Sequence, residues 1–133
     1  MDKKIRIIKK LKEYGSVEKD ILHLRNKINI IDNKITKIKT SRLDDTVNQS
    51  DGYILEKLID DKVALVKRLN IKYLEKDYMD SALNMIDKRD KQILVDIYCK
   101  KYTINSIASS VGYSERQVRR KRDDAIMSLS VFI

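Results

Sequence analysis

The chain carries near its C-terminal end the segment Thr103-Ile-Asn-Ser-Ile-Ala-Ser-Ser-Val-Gly-Tyr-Ser-Glu-Arg-Gln-Val-Arg-Arg-Lys-Arg122. Thr103 can accept the hydrogen bond that caps a helix, and apolar residues follow it at helical spacing. Gly112 stands where this pattern stops, and glycine readily adopts the positive φ of a tight turn. Ser114 and Gln117 have the spacing of a capping box, which starts a new helix. The segment therefore predicts a helix, a glycine turn and a second helix.

Small and apolar residues in this segment stand where the two helices must pack. Helices that cross at about 90–120° across a short turn approach closely. We therefore expect a bulky residue at Ala108 or Gly112 to clash. The residues predicted to form the buried face and the turn are Ile104, Ile107, Ala108, Val111, Gly112, Val118, Ala125 and Leu129. This arrangement is a helix-turn-helix, a motif whose second helix enters the major groove of DNA.

The second helix is strongly basic on the side that its apolar residues leave free. In the major groove, arginine pairs with guanine and glutamate accepts a hydrogen bond from cytosine N4. The residues predicted to read bases are Glu115, Arg116, Arg119 and Arg120. The residues predicted to contact phosphate are Ser114, Gln117, Lys121, Arg122 and Lys101. The competing interpretation is a solvated charged helix that closes a small bundle, because basic runs alone are common.

The sequence from about Ser81 to Leu129 resembles region four of bacterial sigma factors and, more closely, phage transcriptional regulators of the ArpU and RinA type. The most specific part of the resemblance is Gly112-Tyr-Ser-Glu-Arg116. It implies a sigma region four-like domain that activates late phage genes, with RNA polymerase as a partner, and it assigns base reading to the same outward positions. Lys121 and Arg122 depart from the sigma pattern, so we expect a site other than the ordinary promoter element.

Composition limits the fold and the class of protein. The chain has 133 residues, three glycines, no proline and a formal net charge of +9. Helix breakers are almost absent and no alternating strand pattern competes, so we predict an all-α fold. The single cysteine, Cys99, excludes an intramolecular disulfide, and no long apolar run or signal segment is present. We therefore expect a cytoplasmic protein with a nucleic-acid partner and no membrane partner.

Most of the positive charge lies outside the helix-turn-helix. Residues 77–133 hold 10 basic and 8 acidic residues, so +7 of the net charge belongs to residues 1–76. In residues 3–12, lysine and arginine alternate with isoleucine and leucine at roughly helical spacing. A solvated helix face is the favoured interpretation of these charges. Contact with DNA phosphates, a membrane surface or an acidic partner are the alternatives.

A heptad pattern follows this basic segment. Its apolar positions, spaced alternately by four and three residues, are Val17, Ile21, Leu24, Ile28, Ile31, Ile35 and Ile38. We interpret residues 40–53 as a loop and Ile54–Leu74 as a second helix. The heptad seam can pack against this second helix in an antiparallel hairpin or against another chain in a coiled coil. Val63, Ile71 and Leu74 would remain partly exposed in a hairpin, which favours a homodimer through the N-terminal helices.

The predicted organisation is therefore a basic helical hairpin or coiled coil in residues 1–76, followed by a small four-helix DNA-binding domain in residues 77–133. We expect a linker near residues 75–77 and helices over 81–86 and from Lys88 to about Lys101. The sequence offers no phosphate-binding glycine loop and no clustered metal ligands, so we expect no catalytic residue, metal or cofactor and no small-molecule substrate.

The expected function is sequence-specific binding of double-stranded DNA in transcription regulation. The chain has no tryptophan and one phenylalanine. Since capture of unstacked bases needs aromatic side chains, we expect duplex binding and not promoter melting. The alternatives are a helical interaction protein that is only tethered to DNA, and a DNA-recognition subunit of phage packaging.

Overall fold

A computed structural model describes the backbone of residues 2–41 and 49–133, and it confirms the all-α fold. Two long helices that pack together as a hairpin precede three short helices that pack against one another. The helices are α1 (Lys3–Ser41), α2 (Gln49–Asn84), α3 (Lys88–Leu94) with a π-helical turn over Val95–Cys99, α4 (Ile104–Val111) and α5 (Glu115–Leu129). None of the helices in the described ranges is long and apolar enough to cross a membrane.

The long helices extend further than their patterns predicted. The glycine at position 15 lies inside α1, so the basic segment and the heptad segment form one helix. α2 continues through the expected linker at residues 75–77 and includes most of the expected helix at 81–86. It also begins at Gln49, inside the expected loop, while residues 42–48 of that loop lie outside the described range.

The described contacts divide the chain into two units. The first, here called the multihelix unit, comprises Met1–Glu18 and Leu74–Ile133, and the second, the hairpin unit, comprises Lys19–Tyr73. This grouping differs from the division predicted at residue 76, because the start of α1 packs with the short helices. Ile7 and Leu11 are 1% and 0% exposed in the multihelix core. They share that core with Met79, Ala82, Leu83, Leu94, Ala125, Ile126 and Leu129.

The π-helical turn meets α1 at Gly15. A Cβ atom placed on Gly15 would lie 2.9 Å from the Cα of Cys99, so only glycine allows this close approach. The Cys99 thiol also donates a hydrogen bond to the carbonyl oxygen of Leu11, with a 3.7 Å separation. Burial raises the pKa of this thiol. The expected helix from Lys88 to about Lys101 is thus present through Cys99, but after Leu94 it widens into the π-helical turn that contacts α1.

In the hairpin unit, the isoleucine seam of α1 faces α2 of the same chain. Ile21 and Leu24 are buried, whereas the seam positions from Ile28 onward are only half-buried. Two ion pairs join the helices beside the seam: Lys62 Nζ lies 2.6 Å from an Asp32 oxygen, and Lys72 Nζ lies 3.9 Å from an Asp20 oxygen. The intramolecular hairpin is thus the packing that the structure adopts. Val63, Ile71 and Leu74 are exposed, as predicted.

Candidate nucleic-acid interface

The first helix of the predicted motif, α4, begins and ends as its sequence indicates. The Thr103 hydroxyl accepts a hydrogen bond from the backbone N–H of Ser106 at 3.1 Å. At the other end Gly112 has φ 75° and ψ 24°, and its N–H donates to the carbonyl oxygen of Ala108 at 3.0 Å. A Cβ atom at Gly112 would meet no atom within 4 Å. The expected clash at Gly112 is therefore wrong, and its positive φ is what requires glycine.

The second helix, α5, starts with the predicted capping box. The Ser114 hydroxyl accepts a hydrogen bond from the Gln117 N–H at 3.2 Å, and the Gln117 side-chain oxygen accepts one from the Ser114 N–H at 2.9 Å. These bonds use the acceptor oxygens of both side chains. The Ser114 hydroxyl proton and the Gln117 amide N–H groups can still donate to a phosphate.

A small apolar cluster holds α4 and α5 together. Ile107, Ala108 and Val118 are buried in it, and Ile97 and Ile104 pack against it. Val111 is the exception among the predicted buried residues, because it is 51% exposed as the last residue of α4. Ile126, which the predicted buried face of α5 did not include, is buried beside Ala125. The sequence did carry a signal for Ile126, since apolar residues at 125, 126 and 129 together form one helical face.

The predicted base-reading residues all lie on the exposed surface of α5. At about 100° per residue, Arg116 and Arg120 point roughly opposite to the buried Val118. Neither arginine forms an ion pair within residues 2–41 and 49–133. Arg119 instead lies 3.6 Å from a carboxylate oxygen of Glu115. Two guanidinium groups are thus free to contact a ligand, while a third is shared with an acidic neighbour.

The predicted phosphate contacts near the middle of α5 already have partners in the chain. The Lys121 ammonium lies 5.0 Å from the ring centre of Tyr113. Arg122 is half-buried, and its Nε donates to an Asp123 oxygen at 3.2 Å. Lys101, by contrast, is exposed and has φ 59°, two residues after the end of the π-helical turn. Of these three cations, Arg122 is the least available to a phosphate.

A basic residue at the start of α1 joins this surface, whereas the sequence pattern indicated DNA-phosphate contact of residues 3–12 only as an alternative. Lys4 Nζ lies 3.2 Å from the same Asp123 oxygen that pairs with Arg122. Burial alone would raise the pKa of Asp123, but the hydrogen bonds from Arg122 and Lys4 lower it. The first turn of α1, with the exposed Lys3 and Lys4, therefore lies beside α5. The sequence signal for this contact was the basic, amphipathic start of the chain. Residue spacing alone could not reveal which helix this segment contacts.

A second polar cluster lies elsewhere in the multihelix unit and joins α1 to α2. The Tyr14 hydroxyl donates a hydrogen bond to Asp80, and Lys76 donates another to the same carboxylate at 2.9 Å. Burial and the bond to Asp80 raise the pKa of Tyr14. Burial alone would raise the pKa of Asp80, but these two donors lower it. The cluster borders a cleft of about 260 Å³ beside Met79.

In the part of the chain that the structure describes, no three His, Cys, Asp or Glu side chains come together in a way that could hold a metal ion. Comparisons with protein-family models, with curated proteins and with solved structures found no match to this chain. The resemblance to sigma region four and to phage regulators accordingly stays a prediction.

Proposed function

We propose that this chain is a sequence-specific double-stranded DNA-binding regulator of transcription, of the kind that activates late phage or prophage genes. One observation carries the proposal. A doubly capped helix-turn-helix presents Arg116 and Arg120 on the side of α5 that faces away from the core. Arginine on the outer face of a recognition helix is well suited to bidentate contact with guanine.

The N-terminal half of α5 would enter the major groove in this mechanism. Arg116 and Arg120 would donate to guanine O6 and N7, and Glu115 would accept from cytosine N4. Arg119, held by Glu115, would lose part of that ion pair on binding, so its contribution depends on what Glu115 contacts. Ser114 and Gln117 would donate to a phosphate near the helix start, and Lys101 and Lys121 would add charge around it.

Recruitment of RNA polymerase rests on the sequence resemblance. A homodimer rests on the exposed apolar residues of the hairpin unit. Neither partner is needed for the DNA contact itself.

A DNA-binding measurement tests the proposal. We expect selection from a random duplex library to give a defined site, and Arg116→Ala or Arg120→Ala to weaken binding to that site by about tenfold to a hundredfold, because a bidentate base contact contributes about 1–3 kcal/mol. Both variants should relax the preference at one base position. Arg68→Ala, which removes an exposed arginine from the hairpin unit, is the matched control. Equal binding of selected and random DNA by wild type and variants would refute base reading by α5.

A further inference from the structure

A second apolar stripe runs along α2 within the hairpin unit, beside the seam that packs on α1. The seam positions Leu58, Lys62, Leu65, Leu69 and Lys72 are each followed directly by one stripe residue. The stripe consists of the apolar residues Ile59, Val63, Val66 and Tyr73 and the polar residue Asn70, spaced by four, three, four and three residues. Because successive helical residues are about 100° apart, the stripe lies roughly a quarter turn around α2 from the seam.

The stripe is one of the poorly covered apolar surfaces of α2, and Ile71 beside it is 54% exposed. Ile59, Val63 and Tyr73 are 42%, 47% and 37% exposed, and Val66 is half-buried. α1 has no counterpart, because the residues that follow its own seam positions are mainly polar: Leu22, Arg25, Asn29, Asp32, Thr36 and Lys39. A helix with two apolar stripes at roughly a right angle is typical of a four-helix bundle, where each helix packs on two neighbours.

Charges along the stripe indicate which helix packs on α2 as its second neighbour, besides α1. Asp60 follows Ile59 and Lys67 follows Val66, so both charges border the stripe on the side away from the seam. Neither forms an ion pair in the described part of the chain. If two copies of α2 lie antiparallel with Val63 of one against Val66 of the other, Asp60 of each copy lies opposite Lys67 of the other. A parallel pairing would instead bring Lys67 of one copy towards Lys62 of the other.

We propose that the hairpin unit forms a two-fold symmetric homodimer through this stripe, with the two α2 helices antiparallel and two reciprocal Asp60–Lys67 ion pairs at its border. Such an interface uses the same patch on both copies, as two-fold symmetry requires. The four helices of two hairpins then form one bundle. The ion pairs fix the orientation of the helices, since like charges opposite each other are strongly unfavourable.

Charge reversal tests the orientation, with the full chain studied in the absence of DNA by sedimentation equilibrium. Asp60→Lys and Lys67→Asp should each raise the dimer Kd about tenfold or more, because each creates two like-charge contacts. The double variant should return the Kd to within about threefold of wild type, because it restores both pairs in reversed order. Asp61→Lys and Arg68→Asp make the same charge changes about 100° away on the helix and should leave the Kd unchanged.

Removal of the apolar contact tests the stripe itself. Val63→Lys should yield a monomer with the helical circular dichroism of wild type, because Val63 is already half-exposed in the single chain. Leu22→Lys, on α1, should leave the dimer intact. A wild-type chain that stays monomeric at a protein concentration of about 100 µM would overturn the homodimer. Single reversals that weaken the dimer without rescue in the double variant would overturn the antiparallel pairing. Neither outcome bears on DNA binding, which is measured separately.

Discussion

The multihelix unit and the hairpin unit are both helical and rich in lysine, but they bury their apolar side chains to different extents. The multihelix unit closes a core in which Leu11, Leu83, Leu94 and Leu129 are fully buried. The hairpin unit has a longer apolar seam, yet from Ile28 onward its seam residues stay half-buried. Two helices cannot surround a core, whereas four or more can. The multihelix unit thus encloses its own apolar core, whereas the hairpin unit exposes apolar surface that a partner can cover.

Core truncation in each unit gives the largest expected effect and measures this difference directly. Leu11→Ala should destabilise the multihelix unit by about 2–5 kcal/mol, the usual loss for a fully buried leucine. Ile31→Ala, at a half-buried seam position, should cost the hairpin unit about 1 kcal/mol. Urea unfolding followed by circular dichroism reports both. Equal losses from the two variants would show that the seam is as well packed as the core.

The close approach of α1 to the π-helical turn gives an effect of intermediate size. Gly15→Ala should destabilise the multihelix unit by about 1–3 kcal/mol, because the new methyl group would overlap the Cys99 backbone. An ordinary helical glycine behaves oppositely, since alanine there gains about 1 kcal/mol. The sign of the change in melting temperature therefore decides whether the contact exists. Ser16→Ala, at the next and exposed position, is the control and should change the melting temperature little.

The difference between what could and could not be predicted from the sequence follows the range of the interactions. Thr103, Gly112 and Ser114 act on backbone within four residues, so residue type and spacing were enough to predict both caps and the turn. The heptads predicted helices and an apolar face, but not which chain would cover it. The contact of Ile7 and Leu11 with the C-terminal helices joins residues more than 60 positions apart. No local pattern encodes such a partner, so the domain division and the role of Gly15 required the structure.

The smallest expected effect concerns Lys4, which ties the start of α1 to the candidate DNA surface. If α1 contributes a phosphate contact there, Lys4→Ala should weaken all duplexes alike, by about threefold to tenfold near physiological salt, and should lower the slope of log Kd against log salt by about one. Loss of Lys4 also leaves Asp123 with Arg122 alone, which adds to the repulsion of a nearby phosphate.

Lys9→Ala, about 140° further around α1, is the control for charge alone. If both variants change affinity and slope equally, only the net charge of the unit matters, and α1 is not a specific part of the interface. A change confined to Lys4 would place α1 with α5 in DNA binding as well as in the core.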